Sequence, residues 1–227
     1  TPINANNGIS TPETVAASDD NTFLVSKFVS KGNDNSLNFV NFGSQEKVAF
    51  GAPNKATSGN DNLLLTKVNA DGTAAWHVYS KQGRVANASA ATTSDGGVVV
   101  AAVTSFTAFN AKEATDIPAN SILDIVDADN HTTTIDKAFA GSAVFDIVVL
   151  KISADGHLDW FKHFAADDAS SLTAKIAVDN ADNIYIGGQH AKTLSFGENA
   201  VAARSAKSLY LVKLDNAGNF VKSFDIS

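Results

Sequence analysis

One pair of signals recurs three times along this chain in the same order, and an internal repeat of that length restricts the fold more than any other feature. Its clearest half runs Leu63-Leu-Leu-Thr-Lys-Val-Asn-Ala-Asp-Gly-Thr-Ala-Ala-Trp76. It returns as Ile147-Val-Val-Leu-Lys-Ile-Ser-Ala-Asp-Gly-His-Leu-Asp-Trp160 and as Leu209-Tyr-Leu-Val-Lys-Leu-Asp-Asn-Ala-Gly-Asn-Phe220. Each copy holds a lysine five residues before a glycine: Lys67 and Gly72, Lys151 and Gly156, Lys213 and Gly218. An apolar run, a polar turn and a second run with an aromatic make a β-hairpin, and the glycine supplies the positive φ that a tight turn needs.

A second hairpin pattern precedes each of these. Its turns fall at Asp20-Asn21, Asp95-Gly96 and Asp182-Asn183, between short apolar runs. A Phe followed by Gly or Asn then leads onward: Phe42-Gly43, Phe109-Asn110 and Phe196-Gly197. The sequence therefore predicts an all-β chain of three tandem four-stranded antiparallel blades of β-propeller type, at about 14–80, 88–164 and 173–227. Residues 1–13 read as a polar leader or tether before a propeller-like domain over 14–227. A long insertion at about 110–140 reads as an extra hairpin turning at Asp129-Asn130. It is either a functional loop or a cover for an exposed sheet edge. Closed propellers use four to eight blades, so three imply a fragment of a longer propeller, half of a dimeric ring, or a partial propeller filled by its insertions.

Composition narrows the partners. The formal charge of −7 with no block of basic residues argues against nucleic acid or an anionic membrane surface. The chain has no Cys, hence no disulfide, thiolate metal site or thiol nucleophile. It begins Thr1-Pro2 and lacks Met, which reads as a processed or trimmed chain whose targeting segment lies outside it.

The lysine-to-glycine motif, the acid turn and the Phe-Gly connection resemble the bacterial β-propeller repeats known as SBBP repeats, best over 147–218. Trp76 and Trp160 fit the aromatic position of that family, and Lys222 departs from it. The resemblance implies an exported protein of the bacterial cell surface, outer membrane or periplasm, with a lipid anchor upstream as one route to it. It implies a binding or accessory role toward a protein, peptide or glycan, or a homo-oligomer or envelope complex. The recurring residues of such repeats are structural, so no catalytic residue carries over.

Several constellations invite chemistry. His157, Asp159 and His163 share strand parity and offer zinc-ligand types, but His157 and His163 would stand about 20 Å apart along an ideal strand. Asp124, Asp127, Asp129 and Asn130, and likewise Asp179, Asn180, Asp182 and Asn183, suggest calcium. Neither has the Gly and Glu of a calcium loop, and acids also serve hairpin turns locally. Lys67, Lys151 and Lys213 could line a channel, or mark a strand edge or pair with a neighbouring acid. Trp76 and Trp160 could stack on sugars or pack between sheets. No nucleophile elbow or phosphate loop is present. No residue is assigned a catalytic, metal or cofactor role, no cofactor is expected, and ligand-binding residues stay unassigned. Alongside the binding reading stand two others: an extracellular polymer-degrading hydrolase or lyase, and a purely structural envelope subunit.

Overall fold

A computed structural model describes residues 11–18, 20–28, 36–37, 48–49, 62–82, 84–105, 121–136, 145–166, 172–205, 207–224 and 226. Among them every regular element is a β-strand, and every pairing is antiparallel. The first unit holds β1 (Thr11–Ser18), β2 (Asn21–Phe28), the short β3 (Ser36–Leu37) and β4 (Val48–Ala49), β5 (Asn62–Val68) and β6 (Ala74–Gln82). The second holds β7 (Arg84–Thr92), β8 (Val98–Ser105), β9 (Ser121–Val126), β10 (Thr132–Asp136), β11 (Phe145–Ile152) and β12 (Leu158–Ala166). The third holds β13 (Lys175–Val178), β14 (Ile184–His190), β15 (Thr193–Phe196), β16 (Asn199–Ala202), β17 (Ser208–Leu214) and β18 (Phe220–Phe224).

The sheets are not three of four strands. They run β1-β2-β5-β6-β9-β10, then β16-β15-β12-β11-β8-β7, then β13-β14-β17-β18, with β3-β4 as a separate pair, and none closes on itself. A four-strand meander underlies each large sheet. The surplus strands are hairpins inserted between the second and third strands of a unit, and each pairs onto the last strand of the unit before it. The β9–β10 hairpin joins β6, with Tyr79 opposite Val126 and Ser80 opposite Ile125. The β15–β16 hairpin joins β12 through Ala165 and Ala166.

The Phe196-Gly197 step is thus not a mere connection. Phe196 ends a strand and Gly197 turns a hairpin at φ 66°. Its partners in the sequence pattern, Phe42-Gly43 and Phe109-Asn110, lie outside the described residues. The insertion of the second unit covers a sheet edge and also enters the core, burying Leu123, Ile125 and Ile135. Residues 11–13 of the expected leader belong to β1, where Glu13 meets Lys27 at 3.1 Å; residues 1–10 lie outside the described residues.

Apolar alternation explains how the units stack. Phe23, Leu65 and Val78 of the first unit pack against Val100, Val148 and Leu150 of the second. Val99, Ala101 and Val149, on the opposite face of the second unit, pack against Ile186, Val212 and Leu214 of the third. The strands β8 and β11 are covered on both faces, which is why they read as unbroken apolar runs rather than alternating ones.

Candidate functional site

Among the described residues, six hairpin turns share one backbone form. Each begins with a residue whose N–H bonds to the carbonyl four positions on, as Asn69 does to Thr73 at 2.8 Å and Asp179 to Asn183 at 3.0 Å. The residue before that carbonyl is left-handed: Gly72, Gly96, Asn130, Gly156, Asp182 and Gly218. In a meander, the turn joining strands one and two and the turn joining three and four lie at the same end. That end gathers the turn carboxylates with His131, His157, Lys67 and Lys151.

The turn carboxylates serve those turns. Asp179 Oδ1 accepts the N–H groups of Ala181 and Asn183, and Oδ2 accepts Asn183 Nδ2 and the Tyr185 hydroxyl. Asp182 accepts the Ser94 N–H at 2.9 Å and its hydroxyl, tying the second unit to the third. Asp127 Oδ1 accepts the Asp129 and His131 N–H groups. Hydrogen bonds of this kind favour the charged form. The Asn183 side chain holds Asp179 below the usual carboxylate range, and the Thr73 hydroxyl does the same for Asp71. Of the two acid groups that suggested calcium, Asp127 and Asp179 cap their own turns, Asp182 bonds the neighbouring unit, Asp129 meets His157, and Asp124 lies within β9.

The three histidine-strand residues do not converge. A bulge places one extra residue, Asp159, between Leu158 opposite Ile152 and Trp160 opposite Lys151, which breaks the parity assumed from an ideal strand. His163 Nε2 instead meets Asp146 Oδ2 of its own sheet at 2.7 Å in a buried pair. His157 goes to the turn end, with Nδ1 3.5 Å from Asp129 and Nε2 3.4 Å from Asp155. His131 stands 3.7 Å from Asp127 in the same group. Two turns are latched there by one imidazole, and the Ser153 hydroxyl of the same turn donates to Asp155 and accepts the His157 N–H.

The same bulge recurs at Ala75 and Val221, and it has a consequence for the repeated lysines. It sets each directly opposite the aromatic position: Lys67 opposite Trp76, Lys151 opposite Trp160, Lys213 opposite Lys222. The three lysines do not form one ring of equal charges. Lys67 Nζ donates to the Ala154 carbonyl of the next unit at 2.8 Å. Lys151, buried, donates to Thr93 Oγ1 at 2.5 Å and Asp95 Oδ1 at 2.7 Å within its own unit. Lys213 lies 5.4 Å from the Tyr185 ring centre.

Burial would raise the Asp95 carboxyl, but hydrogen bonds from Lys151, Thr93 and the Gly97 N–H, with the Lys151 charge, outweigh it and hold the group at about 2. Replacing Lys151 by Met should cost about 2 kcal/mol in chemical denaturation, the worth of hydrogen bonds to a charged group. The Asp95 titration, followed by NMR, should move up in the same variant.

Both tryptophans are packing residues between units. Trp76 Nε1 donates to the Ala154 carbonyl at 3.0 Å, and its ring lies against Gly156, where a Cβ would fall 2.9 Å from Cδ2. Trp160 meets Gly218 in the same way, with a Cβ there 2.9 Å from Cζ3. The turn of each following unit is thus seated on the aromatic of the one before. No protein-family model matches the chain, and no curated protein matches it.

Sequence reasoning overlooked two imidazoles held from water, His77 half-buried and His190 buried. His77 Nδ1 lies 2.9 Å from Thr66 Oγ1, and burial pushes its pKa down to about 4. His190 is buried with neither ring nitrogen in a well-formed hydrogen bond among the described residues. Burial lowers its pKa against a smaller opposing effect of the Lys192 backbone. Nothing in their sequence neighbourhoods marks either residue.

Proposed function

We propose that this chain is a binding module of propeller-type blades, related to the SBBP-like repeats, that holds a protein, peptide or glycan at the bacterial cell surface. The seat of a following turn on the preceding tryptophan carries this reading. It occurs between the first and second units and again between the second and third, in the manner of blades stacked around an axis. Side chains with chemical potential are spent on that stacking and on the turns, so the exposed turn end is a rigid surface for recognition. The location at the cell surface rests on the SBBP-like resemblance.

The test uses the full chain against arrays of glycans and peptides, with turnover of the same compounds followed in parallel. Saturable binding without product is the expected result. Substituting the exposed pair Asp129→Ala and Asp155→Ala should weaken a ligand of the turn end about tenfold, with the strand signal in circular dichroism retained despite the stability lost with the His157 and Ser153 contacts. Product formation from any bound polymer would replace this reading with that of a hydrolase or lyase.

A further inference from the structure

The face of the third unit turned away from the second is built unlike the faces that seat a neighbouring unit. One row across it runs Ala177, Tyr185, Lys213 and Lys222, each opposite the next in register. The adjoining row runs Lys175, Gly187, Leu211 and Phe224. All eight keep contact with solvent, whereas Tyr210, Val212 and Leu214 on the other face of β17 are buried. The first unit has Phe23, Val25 and Trp76 at the places of Tyr185, Gly187 and Lys222. The second has Val99, Ala101 and Trp160 there. Places that are apolar where a unit is seated are here phenolic, bare or cationic.

The charges on this face are of one sign. Lys213 and Lys222 stand directly opposite each other on adjacent strands, which costs stability unless an opposite charge lies between them. Lys222 Nζ lies 4.6 Å from the centre of the Phe224 ring, and Lys213 Nζ 5.4 Å from that of Tyr185. The two rings therefore hold both ammonium groups against the sheet. Lys175 adds a third cation two strand spacings, about 10 Å, from β17. Among the described residues none of these lysines forms an ion pair. Asp179, which accepts the Tyr185 hydroxyl, has its two oxygens occupied by that group and its own turn.

The rest of the surface favours a sugar chain over other anions. Strands β14 and β17 lie inside their sheet, so a peptide laid across them gains no main-chain hydrogen bonds. A nucleic acid duplex carries a charge every ~1.7 Å and is repelled by a chain of net charge −7. A pyranose ring offers apolar C–H faces with a rim of hydroxyl groups. These suit the exposed Leu209, Leu211 and the edges of Tyr185 and Phe224, beside the Gln189 amide, which lies opposite Leu209.

We propose that this face of the third unit binds an acidic polysaccharide, with uronate carboxylates held between Lys213 and Lys222 and at Lys175. It adds a second surface to the binding reading above and shares no tested residue with the turn end, so either can fail while the other holds.

The test titrates the full chain with oligomers of polygalacturonate and of alginate, and with methyl-esterified polygalacturonate. Saturable binding of the acid forms is expected, with the ester bound at least about tenfold more weakly. Lys213→Gln with Lys222→Gln should weaken binding about as much, and Lys213→Arg with Lys222→Arg should keep it. In NMR spectra of the unaltered chain, the oligomers should shift the amide signals of Tyr185, Leu211 and Lys222 and leave those of buried Val100 and Leu150 in place. No binding of either uronate, equal binding of the ester, or an affinity indifferent to the glutamine variant would overturn the proposal. So would tighter binding of polyglutamate or single-stranded DNA than of the uronates, or shifts confined to the six turns.

Discussion

Replacing Gly156 by alanine is expected to destabilise the protein by about 4 kcal/mol, whereas the same change at Gly72 should cost about 1 kcal/mol. Both glycines close the same turn with positive φ, 95° and 83°, so the strain of placing an L side chain in the left-handed region is common to the two. Their surroundings differ. The new Cβ at position 156 would lie 2.6 Å from Ala128 Cβ and 2.9 Å from the Trp76 ring, and both belong to packed elements. At position 72 it meets nothing described within 4 Å. Relieving the overlap at Gly156 requires the turn to lift from the indole, losing the Trp76 bond to Ala154 as well. Urea denaturation of the two variants measures the contrast. Equal costs would mean that the seat on Trp76 contributes nothing beyond turn geometry.

This contrast also marks how far the sequence could be read. The repeated glycines announced tight turns because only local backbone strain sets that requirement, and all three are left-handed. The apolar runs at 98–103 and 147–150 announced strands because burial on either face selects the same residue types. What was not legible depends on partners distant in the chain. The six-stranded sheets arise because Val126 and Ile125 find Tyr79 and Ser80, across more than forty residues, and no local pattern states that pairing. A single bulged residue, Asp159, turned a predicted histidine face into two unrelated contacts, His157 with Asp129 and His163 with Asp146. Period-two reasoning fails wherever one residue is added to a strand. The lysines were recognised as equivalent by position, and they are. Their different partners follow from what each neighbour offers: a carbonyl at Ala154, a carboxylate at Asp95, a ring at Tyr185.

Stability should fall by about 2 kcal/mol between pH 7 and pH 5, and most of that loss should vanish when His77 is replaced by Gln. In the folded protein His77 is neutral down to about pH 4 because its ring is buried, beside Thr66. In the unfolded chain the imidazole takes up its proton near pH 6.5. Between these two values the unfolded state binds more protons than the folded one, so stability rises with pH across the window and is lost as pH falls through it. His190, lowered by burial as well, acts in the same direction.

Below pH 4 a second set takes over. Asp95, held at about 2, and Asp71, Asp155, Asp179 and Asp215, all lowered, contribute stability that is present above their unfolded values. That contribution disappears as pH falls toward their folded ones. Two descending limbs are therefore expected in a plot of unfolding free energy against pH, the upper set by buried imidazoles and the lower by turn carboxylates. The His77→Gln variant should flatten the upper limb and leave the lower one unchanged. Parallel curves for the two proteins would show that His77 takes its proton readily in the folded state, against the burial that its place on β6, opposite Thr66 of β5, imposes.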